Sequence, residues 1–521
     1  MPRAECRAIL TLTMPLAAFI FLNALWIDAT GSQKRWADLG VIMIYLAAIT
    51  WFGVRFSRKQ RTLKDYFLGG KTVPWWAIAL SIVSAETSTL TVIGTPVLSF
   101  QGNYGFLQLV LGYLLARIVI STLFLPAYFR GEMYTAYELM RVRFGERIRK
   151  LTAGTFLILR ALAEGVRVFA ISIVISVILG SGEVASIVII LLLTLLYTYE
   201  GGLTAVIWTD VVQMVLYVVG AVVSLVLLLH QIPGGWAHVA DVAGPMGKLQ
   251  VFDFALTTPT GQGFFSRTYT FWAGLIGGCF LTTASHGTEQ LLVQRLLAAK
   301  DETQSRVALL SSWVVIFVQF TLFLVVGTCL FVLYRETGVT APKVADRLYP
   351  EFIWNSLPVG VAGLVMAAIL AASMSNLSAA LNSLASTTVL DLVRPLARAS
   401  NRSDADWLRL ARRSTVLWGA ILFGVAMIAK SWGSVLQAGL SIASIVYGSL
   451  LGVFLLGLLT KRVGEIAAMC GMVAGLALML YVRFETTIAF TWYVLIGSAA
   501  TFGTGMVVSL LYPNRRDDLM D

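Results

Sequence analysis

The sequence predicts an all-α polytopic membrane protein, and three observations carry that prediction. Of its 521 residues 58% are hydrophobic and only 13% charged, against roughly 25% charged in soluble domains. Apolar stretches near the length of about 20 residues that a helix needs to cross a bilayer recur from one end of the chain to the other. These stretches are continuous rather than alternating at every second residue, which favours helices that satisfy their own backbone groups over an outer-membrane barrel. Read in this way, the chain holds about fourteen spans.

In chain order, residues 8–27 come first, after Arg3 and Arg7. They resemble either a retained helix or a secretory signal; no small-residue cleavage site follows, and the length suits a span, so the retained helix is favoured. Residues 39–56 form the next span and exit into a basic loop with Arg55, Arg58, Lys59, Arg61, Lys64 and Lys71. Five spans follow, at 75–100, 105–129, 151–180, 184–199 and 203–230, then a long loop, then five more at 269–295, 307–334, 357–391, 414–430 and 435–459. Two further spans, near 466–482 and 488–511, finish the chain.

The basic residues between Arg130 and Lys150, between Arg394 and Arg413, and at Arg515 and Arg516 share a side with the first basic loop. The positive-inside rule makes that side cytoplasmic, with both termini there and the plasma membrane, a bacterial inner membrane, as the location. The net charge of +11 therefore reports orientation. Nucleic acid is not an expected partner, because no basic patch interleaves with aromatics; membrane lipid and a small solute are, with the monomer as the working unit. Cys6, Cys279, Cys329 and Cys470 are scattered without metal-ligand spacing.

Five is odd, so the second group of spans enters from the opposite side to the first, the arithmetic of an inverted-topology repeat. Hydropathy alone equally admits a bundle without internal symmetry. The corresponding organisation is 1–74 peripheral, 75–230 first repeat, 231–268 external loop, 269–459 second repeat and 460–521 peripheral with a short tail.

The span at 75–100 is the least lipid-like, with Ser81, Ser84, Glu86, Thr87, Ser88, Thr89, Thr91 and Gly94 crowding its middle. Hydroxyls compete with the helical backbone for hydrogen bonds, which predicts a broken helix lining a central site. Glu86 sharpens this reading, since an ionisable group at mid-membrane normally faces a partner or a pathway. The alternative is a structural ion pair with Arg117, Arg160 or Arg167. On 357–391, Ala368, Ala372, Ser375, Ala379, Asn382 and Ser386 recur at helical spacing. Such a stripe serves close helix packing or, opposite a broken helix, offers oxygens to a hard monovalent cation.

At these residues the chain resembles the sodium:solute symporter family, which includes sodium-coupled proline, sugar, iodide, vitamin and sialic-acid carriers. The motifs are Trp75-Trp76 to Gly94, then Gly201-Gly202-Leu203-Thr204-Ala205-Val206 with Thr209-Asp210 and Gln213. Gly287-Thr288-Glu289-Gln290 with Val293-Gln294-Arg295 and Ala298-Ala299-Lys300 follows, then Ser375-Asn376-Leu377-Ser378 with Leu381-Asn382-Ser383, then Gly457 with Lys461-Arg462. The resemblance implies a leucine-transporter type of five-plus-five fold and sodium-coupled symport of a small organic solute, an amino acid, monocarboxylate or similar. It implies a principal sodium site at Ser84, Thr87, Ala372, Ser375 and Asn376, the last standing where the family usually has Ser or Thr. It implies a second cation site at Asp210 and Ser378 in some members, which Ala379 weakens here by lacking a hydroxyl; one sodium is favoured. The family's substrate positions fall on Glu86, Thr91, Thr282 and Ser285, and His286 beside them is a solute ligand, a proton site or a satisfied polar residue.

A proton-coupled carrier or uniporter of the same fold is the alternative. A membrane enzyme would need an acid, base or nucleophile cluster near one face, and the loops offer none; a sensor would need a soluble domain, and about ten residues after Leu511 are too few.

Overall fold

A computed structural model describes residues 36–57, 71–130, 136–197, 203–257, 261, 263–393, 404–432 and 434–512. Helices make up most of it, joined by turns and irregular segments, with no strand among the described residues. Among the described residues eight helices are long and apolar enough to cross a membrane, nine when one bent pair is counted as a single span. The expected span at 8–27 lies outside the described residues.

The helices are α1 (Trp36–Ser57), α2 (Trp75–Glu86), α3 (Thr89–Gln101), α4 (Phe106–Phe129, with a π turn at Ile120–Phe124), α5 (Ala136–Arg143), α6 (Glu146–Leu179), α7 (Glu183–Tyr197) and α8 (Leu203–Gln231). The long loop then carries α9 (Gly235–Ala243), which hydropathy did not mark. The second half runs α10 (Gly278–Gly287), α11 (Gln290–Leu297), α12 (Glu302–Thr337), α13 (Leu348–Ser356), α14 (Val361–Ser386), α15 (Asp404–Ala429), α16 (Val435–Leu459), α17 (Glu465–Glu485) and α18 (Tyr493–Leu511). One expectation is corrected: 269–295 is not a continuous span but breaks between α10 and α11.

Close backbone approach sets the packing around the broken segments. A Cβ added at Gly112 of α4 would stand 2.5 Å from the Gly274 carbonyl, and one at Gly327 of α12 would stand 2.0 Å from the Pro96 carbonyl of α3. Only glycine permits either contact, and without a hydrophobic drive between helices in lipid such contacts hold the bundle together. α12 lies along both α2 and α3, α4 along α10, and α16 against α6, so the two broken segments are enclosed by α4, α6, α12 and α16.

Helix ends are capped by groups from distant segments. Asp38 Oδ1 accepts from the amides of Gly360 and Gly363 at the start of α14, at 2.6 and 2.8 Å. Asp346 Oδ2 accepts from Val435 N at the start of α16, at 3.0 Å. Glu465 Oε1 accepts from Arg147 N and Ile148 N at the start of α6, at 2.6 and 3.2 Å. Each carboxylate satisfies amides that have no helical partner and opposes the positive end of the helix dipole. Lys248 does the converse at the end of α3, donating to the Phe100 and Gly102 carbonyls at 2.7 and 3.2 Å, with its ammonium 3.9 Å from the Phe331 ring centroid.

Candidate functional site

The hydroxyl-rich stretch breaks where the sequence suggested. α2 stops at Glu86, Thr87 and Ser88 take extended backbone (ψ 91° and 176°), and α3 resumes at Thr89 with its axis turned by 66°. The amides of Ser88, Thr89 and Leu90, which would close the last turn, lie beyond the bend, so carbonyls at the end of α2 are left for other donors or a cation. The Thr91 hydroxyl reaches one of them, Glu86 O, at 3.5 Å. A second, shorter break separates α10 from α11. α10 ends at Gly287, whose carbonyl accepts from Tyr128 OH at 2.6 Å, and Glu289 is extended (ψ 128°) before α11 starts.

Between the two breaks lies a cavity of about 140 Å³. All five residues expected to meet the solute, Glu86, Thr91, Thr282, Ser285 and His286, line it. Phe106, Phe320 and Leu436 supply apolar wall, and α6 contributes Arg160 and Arg167.

Charge in this wall is arranged in pairs. Arg117, fully buried, donates from Nη2 to Glu86 Oε2 at 2.7 Å, from Nε to Ser312 Oγ at 3.1 Å and from Nη1 to the Tyr113 carbonyl at 3.3 Å. Of the three arginines considered for Glu86, Arg117 is thus the partner, and Glu86 both pairs and faces the cavity. His286 Nε2 stands 3.4 Å from the same carboxylate oxygen, and its Nδ1 is 2.8 Å from Ser285 Oγ. On the opposite wall Arg160 Nη1 donates to Glu289 Oε1 at 2.6 Å, and Tyr447 OH donates to Glu289 Oε2 at 2.5 Å. Glu164 Oε1 lies 2.9 Å from Arg160 Nη2 and accepts from Arg167 Nη1 at 2.6 Å. Sequence reasoning gave Glu164, Glu289 and Tyr447 no role, although Arg160, Glu164 and Arg167 at i, i+4 and i+7 mark one charged face on an apolar helix.

Of the residues expected to hold sodium, Ser84 and Thr87 lie at the first break and Asn376 on the helix packed against it. Ser84 and Thr87 are buried, and Thr87 Oγ1 accepts from Gln319 Nε2 at 2.7 Å. A hydrogen bond between the Thr89 and Ser373 hydroxyls brings α14 against the break, with Asn376 buried about one turn further on. The side chains of Ala372 and Ser375 lie outside the described residues. Backbone carbonyls, hydroxyls and an amide make an oxygen-only set that suits a hard cation, so the residues present fit sodium. Asp210 is engaged otherwise: its Oδ2 accepts from Ser81 Oγ at 2.6 Å and from Arg295 Nη2 at 2.9 Å, all three residues buried. Ser378 is half-buried on α14.

The sequence profile of the sodium:solute symporter family matches residues 66–475. The chain belongs to this family. Sodium is accordingly the coupled ion. Among similar proteins, the sodium-coupled monocarboxylate transporter 1 of Mus musculus is 31% identical over 428 residues, covering 81% of this chain and 68% of that protein. The sodium/sialic acid symporter SiaT of Proteus mirabilis is 27% identical over 483 residues, covering 91% and 95%. The substrate-bound, outward-open structure of a Na⁺-coupled sialic acid symporter superposes with a TM-score of 0.79 at 26% identity over 92% of this chain and 99% of that one. A closed structure of Mhp1, a nucleobase-cation-symport-1 family transporter, shares the fold alone, with a TM-score of 0.54 at 14% identity over 85% of this chain and 93% of that one.

Proposed function

We propose that this symporter carries a small organic solute into the cell together with one sodium ion, by alternating access around the cavity between the two helix breaks. The observation that carries the reading is the convergence of five expected solute residues on one cavity beside the oxygen-lined first break. The cavity, about 140 Å³, is smaller than the roughly 300–1,000 Å³ typical of drug-sized ligands, which favours a small solute. A single sodium at Ser84, Thr87, Ala372, Ser375 and Asn376 is supported by the engagement of Asp210 with Arg295 and by the missing hydroxyl at Ala379.

We place the chain in the plasma membrane as a monomer with both termini cytoplasmic, about fourteen spans and an inverted five-plus-five core. The matching breaks at the head of each group of five support that repeat. Uptake into proteoliposomes tests the function: an inward sodium gradient should concentrate the solute, and an equal potassium gradient should not. Accumulation driven by a proton gradient without sodium would overturn it.

A further inference from the structure

The arginine on the cavity wall that keeps open donors points to the chemical class of the solute. Among the described residues the cavity carboxylates already have cationic partners: Arg117 on Glu86 and Arg160 on Glu289. Arg117 uses Nε, Nη1 and Nη2, and the Arg160 side chain, only 6% exposed, lies between Glu164 and Glu289. Arg167 differs. Its side chain is 22% exposed, it lines the cavity, and its one hydrogen bond runs from Nη1 to Glu164 Oε1. Among the described residues Nη2 and Nε have no protein acceptor, and Nε is buried without one. A buried N–H without an acceptor carries an uncompensated desolvation cost that an incoming oxygen ligand removes.

An ammonium solute would approach a wall whose carboxylates are paired and whose open group is itself a cation. A carboxylate meets the fork of a guanidinium, the geometry that planar bidentate recognition favours. Charge balance agrees. Arg160 and Arg167 are offset by Glu164 and Glu289, and Arg117 by Glu86, so a sodium ion entering this region brings the unbalanced charge. A monoanion restores neutrality, and a neutral load is the cheaper one to hold in a low-dielectric interior.

We infer that the solute is a small organic monoanion whose carboxylate binds the open edge of the Arg167 guanidinium. This rests on the carrier reading above. The test uses the full chain in nanodiscs and proteoliposomes, with acetate, propionate, butyrate and lactate each set against its primary amide, and with glycine and glucose as zwitterionic and neutral controls. At least one acid should bind and be taken up with sodium dependence, its amide should not, and unlabelled acid should compete where amide fails. Arg167→Gln should weaken the acid roughly tenfold or more, Arg167→Lys should restore part of the loss, and both variants should still bind ²²Na⁺, which reports an intact fold. Sodium-dependent uptake of an amide, glycine or glucose with every acid excluded would overturn the anion assignment while leaving the carrier standing. So would failure of all four acids alongside retained ²²Na⁺ binding, or an acid affinity that Arg167→Gln leaves unchanged. Loss of all sodium dependence would instead strike the carrier reading itself.

Discussion

Arg295 Nη2 meets Asp210 Oδ2 at 2.9 Å while Arg295 Nε bonds the Ser81 hydroxyl, also at 2.9 Å, so one buried pair ties α2 and α11, a half of each broken segment, to α8. Removing one partner strands a charge in the interior. Arg295→Met should therefore destabilise by about 3–5 kcal/mol, and Arg295→Met combined with Asp210→Asn should recover much of that loss. Thermal melting in detergent across the double-mutant cycle measures the coupling, and additive effects would refute the pairing.

Glu86→Gln keeps shape and removes the charge that Arg117 faces. The variant should reach the membrane folded and transport at least about tenfold more slowly, because Glu86 also borders the cavity. Adding Arg117→Met should recover thermal stability without recovering uptake. Uptake restored by the double variant would reduce Glu86 to a structural partner.

The reach of the sequence differs along the chain. The break at Thr87–Ser88 was legible because five hydroxyl residues in eight (Ser84, Thr87, Ser88, Thr89 and Thr91) compete with helical hydrogen bonds. The break at Thr288–Glu289 went unread although Thr282, Thr283, Ser285 and Thr288 put four hydroxyls in seven residues beside Gly287, the same competition for helical hydrogen bonds that marks the first break. The five residues expected to meet the solute came from family resemblance, and all five line one cavity. Which arginine meets which carboxylate was not, because Arg117 and Glu86 are 31 positions apart and Arg160 and Glu289 are 129 apart, distances that helix periodicity does not reach. α9 escaped hydropathy because it is nine residues long, far below a span.

Ser375→Ala removes a hydroxyl from the inferred sodium set. The sodium concentration for half-maximal uptake should rise roughly tenfold, about 1.4 kcal/mol, while solute affinity at saturating sodium changes less. Calorimetry with sodium replaced by potassium at constant ionic strength reads both. An unchanged sodium dependence would remove Ser375 from the site.

Asp346 lies outside the spans, and burial pushes its carboxyl up to about 6 despite the bond from Val435 N. Its folded value exceeds its unfolded one, so the fold holds the proton more tightly than the unfolded chain does. Stability is then highest below pH 4, falls as pH rises through about 6, and stays lowered above it, by roughly 3 kcal/mol as an upper bound. Asp346→Asn keeps an acceptor for Val435 and removes the titration. Between pH 5 and 7 the wild-type melting temperature should fall relative to Asp346→Asn, and from pH 7 to 8 the two should run parallel. Parallel curves over the whole range would refute the assignment.

The trans-acting caps bear on how the chain is made. The amides at the start of α6 wait for Glu465, 318 positions later than Arg147, and Asp38 waits for Gly360 and Gly363, more than 300 positions on. A ribosome that has delivered only the first half of the chain to the membrane has therefore produced an α6 whose N-terminal amides water or lipid headgroups must serve, and an Asp38 carboxylate still without the amides it caps. Both are settled when α14 and α17 arrive, which makes biogenesis end on its C-terminal helices and leaves a nascent chain shortened before Glu465 open at the mouth of α6.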